Sequence, residues 1–463
     1  MKRITLNIED LFEIPEATIY NPDNIKLIRN VSIDSRKIKK GSLFIAIRGK
    51  RFDGHSFVKK AVKKGAAVLM INKNKLNEFD DVDLPIITVR NTTKALGDLA
   101  KLWRRKLNTR VVGITGSNGK TSTKDMLATL LNEKYSVNKT ESNNNNNIGV
   151  PLTILATNEK QDILVAELGT NHFGEIKYSA DILEPDYALI TNVGSSHLKY
   201  LKNKKGVLKE KIALFNAAKI NGGKIFINYD DPLLIKYSGK IENSIFFGFN
   251  KRADVSARII NYTEDGRPVV EVTKKNKKYI NTLPLHGEQS ANNFLASMSV
   301  ALEMGLTKEQ INKGTKKLDV SQGRLNVQKY KNFMLIDDSY NASPDSTKAA
   351  IELVEKIKSF HRKVLILGDM LELGKDKIKL HCALSSTVIK CGIDEVYTIG
   401  SGMKALYDKL INKDVVTKNF RMRESLKKFL LNYDPAGAAI LVKGSRGMQM
   451  EEFASIILRK TQS

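Results

Sequence analysis

The chain has 463 residues, more than one hydrophobic core organises when domains commonly run ~100–200 residues, so three domains are predicted. Its 76 Lys and Arg against 50 Asp and Glu give a formal net charge of +26, but the basic residues are spread along the chain and form no arm, which favours solvated lysine faces or attraction of polyanionic substrates over nucleic-acid binding. No apolar run approaches the ~18 residues of a membrane span, MKRITLNIEDLF has no secretory core, and Cys382 and Cys391 form no CxxC pair, so a reduced, cytoplasmic protein is expected.

Residues 1–106 read as a first domain that closes in the helix-like stretch ALGDLAKLWRRKL, with Asn108-Thr109 as a short polar link. A second domain, 107–317, opens with the buried strand VVGIT (111–115), and the stretch RVVGITGSNGKTSTK then carries a Gly-punctuated loop into a helix. That order of residues makes a phosphate cradle. Backbone N–H groups of Gly116, Ser117, Asn118 and Gly119 and the helix N-terminus can face an anion, Lys120 can reach β and γ oxygens, and the Thr121 hydroxyl can ligate Mg²⁺. The ordinary P-loop pattern wants a Gly five residues before Gly119, where this chain has Ile114; what remains is T-G-x-x-G-K-T. The implied ligand is ATP or GTP.

Further along, DILVAE (162–167), YALITN (187–192) and KIFIN (224–228) read as buried strands of an α/β sheet. Hard oxygen ligands for Mg²⁺ are expected at strand ends, which singles out Glu167 and, after the turn NVGSSHL, His197. Lys211, in KEKIALF, reads by composition as an ordinary surface lysine. Residues 245–285 suggest an antiparallel appendage ahead of a helix from Ala291 to Met304. A third domain, 318–463, alternates FMLID (333–337), KVLILG (363–368), EVYTIG (395–400) and AAILVK (438–443) with helices, a Rossmann-like pattern without GxGxxG and hence without a nicotinamide cofactor. The fold class is therefore α/β in three domains: an N-terminal α/β domain, a central P-loop ATPase domain on a mostly parallel sheet, and a Rossmann-like C-terminal domain.

The motifs SIDSRKIKKGSLFIAIRGKRFDGHSF, GITGSNGKTSTK, NNNNNIGVPLTIL, AELGTNHFGEI, NVGSSHL, GRLNV, IDDSYNASPDS, LGDMLELG and LVKGSRGMQME together resemble those of the Mur ligases of peptidoglycan synthesis, in the branch that adds D-alanyl-D-alanine. The resemblance implies an N-terminal uridine-nucleotide-binding domain, two Mg²⁺ ions, and a C-terminal domain that closes over the ATPase. It implies that Gly116–Ser122 and Asn293 hold ATP, that Arg324 reaches the γ-phosphate, and that Asp338 contacts the ribose. Thr121, Glu167 and His197 match Mg²⁺ ligands, and Lys211 matches a lysine that CO₂ converts to a carbamate. That modification replaces a cation with an anionic oxygen ligand and requires a neutral amine, which a desolvated site supplies. Ser35, Arg36, Asp53, Gly54 and His55 match the uridine-diphosphate face; Asn145 and Asn146 match the N-x-N-N-x-I-G stretch. Tyr340, Asn341, Lys443, Ser445 and Arg446 fall on loops toward the incoming amine. The family's G-x-H-N-x-x-N stretch here reads Gly287-Glu288-Gln289-Ser290-Ala291-Asn292-Asn293, so its His-Asn pair is replaced.

The expected partners are a UDP-N-acetylmuramoyl-tripeptide and D-Ala-D-Ala, with no nucleic acid, no transmembrane segment and a monomeric chain in the bacterial cytoplasm. Three rival readings differ from this one in their sequence signatures. A Mur ligase adding the third residue would carry Asp-Asn-Pro-Arg, which this chain lacks; a folylpolyglutamate synthetase would not need the first domain. A nucleic-acid-dependent P-loop ATPase would show a basic and aromatic strand-binding cluster in its sequence.

Overall fold

The computed structural model describes residues 4–49, 52–238, 242–319 and 325–459. Three sheets follow one another along the chain. In the first, strands Ile86–Val89, Ala66–Asn72, Ser42–Ile45 and Val31–Ser32 run parallel in that order, and Thr18–Tyr20 adds antiparallel to Ile86–Val89. Helix Thr92–Lys106 follows because Asn91 caps it, accepting from the N–H groups of Thr93 and Lys94, and because Leu96, Leu99, Ala100 and Trp103 make a buried stripe at helical spacing. The same helix docks on the second unit. Trp103 Nε1 donates to the Thr157 carbonyl at 2.8 Å, and Arg104 donates to the carbonyls of Leu183 and Glu184. Thr109, expected in a polar link, is buried and donates to the Gln161 carbonyl at 2.7 Å. The link is thus packed, and one apolar core runs unbroken from Leu6 and Leu11 to Phe215 and Leu234.

The second sheet has nine strands, with Arg110–Thr115 in the interior between Ile163–Glu167 and Tyr187–Ile190. The chain runs outward from that strand on both sides, so its carboxyl end lies at the point where strand order reverses, where α/β sheets open a crevice for ligands. The stretch read as an antiparallel appendage divides differently. Ser244–Gly248 extends the sheet in parallel and Val255–Tyr262 pairs parallel with it; only Pro268–Lys274 and Lys277–Thr282 are antiparallel. The apolar runs are continuous enough for the meander to share the sheet's core instead of standing apart. Helices Lys120–Leu131 and Gly287–Glu303 pack together over this face, the latter beginning four residues before the predicted Ala291.

In the third sheet Met334–Asp338, Ala438–Lys443, Arg362–Gly368, Glu395–Ile399 and Val416–Phe420 are parallel, with Asn326–Lys329 antiparallel at one edge. Val416–Phe420, an edge strand with one buried residue, is not among the predicted strands; its sequence VTKNF carries too little apolar signal. The third unit is seated on the second: Lys358 N–H donates to the Glu264 carbonyl at 3.2 Å, and four further contacts reach the cradle's surroundings, described below. Among the described residues no helix is long and apolar enough to cross a membrane.

Candidate active site

The loop after Arg110–Thr115 turns on two glycines that leave little room for a side chain. A Cβ on Gly116 would lie 1.8 Å from Thr191 Oγ1, and one on Gly119, whose φ is +79°, 2.2 Å from Asn293 Oδ1. Asn192, two residues beyond strand Tyr187–Ile190, holds the loop: its carbonyl accepts from Ser117 N–H at 2.9 Å and its Oδ1 from Asn118 N–H at 3.0 Å. This corrects the expected cradle, since two of its four N–H groups are spent on the protein itself. The N–H groups of the first turn of helix Lys120–Leu131, which have no intrahelical acceptors and no capping side chain, can face an anion. Lys120 Nζ folds back on the Gly116 carbonyl at 2.8 Å.

Lys211 Nζ donates to that same carbonyl, also at 2.8 Å. The side chain is only 1 % exposed, the opposite of the surface lysine that composition suggests. Burial, reinforced by the neighbouring Lys120 charge and opposed by Glu210, pushes its amine well below the ordinary lysine range. Glu210 is committed elsewhere, accepting from the N–H groups of Gly174 and Ile176 at 2.7 Å each.

Glu167 stands opposite Ile114 in the parallel register, at the sheet's carboxyl edge as expected. Asn145 Nδ2 donates to its Oε1 at 2.8 Å, while Oε2 is buried with no hydrogen-bond partner. The asparagine tract is thereby tied to the strand end that carries Glu167. The Asn145 carbonyl accepts from Gly169 N–H at 2.7 Å, and Asn146 Oδ1 takes the N–H groups of Ile148 and Gly149 at the start of helix Gly149–Leu155. Asn146 is thus occupied in starting a helix. His197, in the left-handed region with φ 52°, donates its Nδ1–H to Glu372 Oε2 across 2.7 Å, and Lys199 N–H donates to the Glu372 carbonyl at 3.2 Å. That bond to His197 holds the Glu372 carboxyl below the usual range against the opposing effect of burial.

No group of three or more His, Cys, Asp or Glu side chains is placed to hold a metal among the described residues. A divalent cation here would draw on the orphaned Glu167 oxygen, the Thr121 hydroxyl, nucleotide phosphates and a derivatised Lys211. Those are hard oxygen donors, and they fit Mg²⁺. Beside the cradle a cavity of about 310 Å³ is lined by Asn118, Asn192, Phe247, Gln289, Asn292 and Asn293, among others. Gln289, at the position of the family's His, donates Nε2–H to Asn293 Oδ1 at 3.2 Å, one helical turn along. Asn192 could have been found as a strand-end residue; Phe247 carried no signal. The third unit closes the rim: Ser343 Oγ donates to Asn118 Oδ1 at 2.9 Å, and Asp345 Oδ2 accepts from Ser195 N–H at 3.2 Å.

Residues 114–301 match the Mur ligase middle domain, 27–104 the Mur ligase family catalytic domain, and 323–446 the Mur ligase glutamate ligase domain. The UDP-N-acetylmuramoyl-tripeptide–D-alanyl-D-alanine ligase of Bacillus subtilis is 34 % identical over 466 residues, covering 99 % of this chain and 100 % of the relative. The chain belongs to the Mur ligase family. A crystal structure of MurF from Acinetobacter baumannii superposes with a TM-score of 0.90 at 27 % identity, covering 99 % of this chain and 100 % of that one. The MurF ligase of Thermotoga maritima in complex with ADP gives 0.83 at 28 %, over 94 % and 98 %.

The family's outer site residues are less available than the motifs suggest. Arg36 lies exposed and grips Asp34 at 2.8 Å, holding that carboxyl down at about 2. His55 is buried with both nitrogens engaged: Nδ1–H donates to Asp53 at 2.6 Å and Nε2 accepts Asn72 N–H at 2.9 Å. Gly54 is required because a Cβ would strike the Ile47 backbone at 2.6 Å, and Ser35 is buried in the turn beside Arg36. In the third unit Asp338 faces Lys443 in the strand register and the two form a buried ion pair, with Lys443 also donating to the Asn341 carbonyl at 3.0 Å. Ser445 Oγ accepts from Leu371 N–H at 2.8 Å. Of that set Arg446, over the Tyr340 ring at 5.5 Å, and Asn341 are the exposed members. Arg324 lies outside the described residues.

Proposed function

We propose that this chain joins D-alanyl-D-alanine to the terminal carboxylate of a UDP-N-acetylmuramoyl-tripeptide at the expense of ATP, as a monomer in the bacterial cytoplasm, with domains divided near 106/107 and 317/318. The observation that carries the reading is full-length likeness to D-alanyl-D-alanine ligases combined with the buried, neutral-leaning Lys211 and the orphaned Glu167 oxygen beside a phosphate cradle.

A carboxylate does not accept an amine at neutral pH because its oxygen is a poor leaving group. The tripeptide carboxylate attacks the γ-phosphorus of ATP, the bond to the bridging oxygen breaks, and ADP leaves an acyl phosphate. Lys120, released from the Gly116 carbonyl, and Arg324 offset charge on the transferring group. The dipeptide amine then attacks the acyl carbon, loses a proton, and phosphate departs. Two Mg²⁺ ions, when bound, supply Lewis-acid stabilisation of phosphate charge, held by Thr121, Glu167, His197 and Lys211. Lys211 serves as a carbamate: its neutral amine adds to CO₂ and releases a proton, leaving an anionic oxygen pair.

Gly116–Ser122 and Asn293 bind the nucleotide, with Asp338 on the ribose. Ser35, Arg36 and Asp53–His55 grip the uridine diphosphate, and Asn145 and Asn146 face the muramoyl peptide. Tyr340, Asn341, Lys443, Ser445 and Arg446 hold the dipeptide. Because these groups come from three domains, docking of the third excludes water from the acyl phosphate. A phosphate-release assay with the UDP-tripeptide and D-Ala-D-Ala, D-Ala, D-Glu, lysine or diaminopimelate should respond to the dipeptide far above the rest. Preference for a single amino acid would overturn the assignment.

A further inference from the structure

The loop that follows strand Arg362–Gly368 is built more firmly than a connection needs. Asp369 is buried and accepts from the N–H groups of Gly402 and Met403 at 3.0 and 2.7 Å, and Lys377 pairs with it at 3.0 Å. Ser445 holds Leu371 by its N–H, Met370 N–H donates to His381 Nε2 at 3.0 Å, and Met370 and Leu373 are buried. On this frame sits the exposed Glu372, whose φ of 61° is left-handed. It meets His197, itself left-handed at φ 52°, on the second unit. Non-glycine residues hold that conformation only where surrounding contacts impose it, and it recurs at functional sites. Here two such residues face each other across a domain boundary, joined by the side-chain bond at 2.7 Å and the Lys199 backbone bond.

A carboxylate on Nδ1 fixes an imidazole as the Nδ1–H tautomer, so that Nε2 carries the lone pair. Metal-ligating histidines are oriented in this way, and loss of the outer partner typically weakens metal binding about 10–100-fold. We propose that Glu372 is a positioning residue for His197: the third domain, on docking, sets the tautomer and ring orientation of a divalent-cation ligand on the second. The inference rests on His197 being such a ligand. By linkage, a cation bound at His197 favours the docked third domain to the same extent.

The test uses the full chain with ADP and Mn²⁺ titrated by electron paramagnetic resonance, without turnover, together with ¹⁵N shifts of the imidazoles in the metal-free protein. His197→Ala assigns its resonance among the six histidines and should remove one Mn²⁺ site. Glu372→Ala should weaken that site about 10–100-fold and erase the fixed Nδ1–H signature. Glu372→Gln, whose amide oxygen still accepts from Nδ1, should recover most of both, and thermal unfolding should be parent-like in each. If His197→Ala leaves the Mn²⁺ titration unchanged, the ligand reading and this inference fall together. A site lost in His197→Ala but intact in Glu372→Ala, with the tautomer unaltered, overturns the positioning role alone.

Discussion

Glu167→Met is expected to make the ligand-free protein more stable and to abolish the stabilisation that Mg²⁺ adds to the ADP complex. The side chain is 1 % exposed, Oε1 has Asn145, and Oε2 has no partner. A buried polar atom left unpaired costs about 1–3 kcal/mol, and methionine of similar volume removes that cost without opening a cavity. Asn145 loses its acceptor but is partly exposed, so water replaces it. For a unit the size of residues 114–301, each kcal/mol moves the midpoint by roughly 2–4 °C, giving about 2–12 °C in EDTA. Adding Mg²⁺ to ADP at 100 times its dissociation constant should stabilise the parent by about 2.7 kcal/mol, and this metal-dependent increment should vanish in the variant. Thermal scans with EDTA, ADP alone and ADP with Mg²⁺ separate the effects. A variant destabilised by more than about 1 kcal/mol in EDTA would show that Oε2 has a structural partner; an unchanged Mg²⁺ increment would show that Glu167 is no ligand.

Lys120→Ala should fold and lose at least ~10² in kcat, in line with removal of a main electrostatic stabiliser; near-normal turnover would take the cradle lysine out of the mechanism. Lys211 leaves a pH signature: its folded amine titrates well below the 10.5 of the unfolded chain, so the unfolded state binds more protons in that window. In CO₂-free buffer the parent should therefore gain stability relative to Lys211→Met as pH rises toward 10.5, and a pH-independent difference from denaturant titrations would refute the buried neutral amine. Lys211→Ala should lose activity and regain part of it with formate or acetate; parent-like activity sinks the carbamate. Gly119→Ala, forced against Asn293 Oδ1 at 2.2 Å from a φ of +79°, should fold with ADP affinity at least about tenfold weaker, and parent-like calorimetry would show that the loop yields.

How much of this was legible depended on whether a residue's role is local. The strands VVGIT, DILVAE and YALITN and the cradle between them are set by short-range pattern, and the structure has them where the sequence puts them. Glu167 at a strand's carboxyl end followed from the same rule. What pattern could not carry is pairing over distance. Lys211 reads as a solvated lysine because its burial is imposed by Gly116, 95 residues earlier, and only the family resemblance marked it. Asn192 takes two N–H groups of the expected cradle by a contact between strand ends that no spacing encodes. Asp338 and Lys443, assigned separately to ribose and dipeptide, stand opposite each other in adjacent parallel strands, so each neutralises its partner's charge inside the fold. For either to reach a ligand the pair must open or share a proton-donating contact, and replacing one member alone would leave a buried charge uncompensated at a cost of about 3–5 kcal/mol. Motif positions at this edge are therefore tied into the sheet, whereas their neighbours Asn341 and Arg446 are exposed.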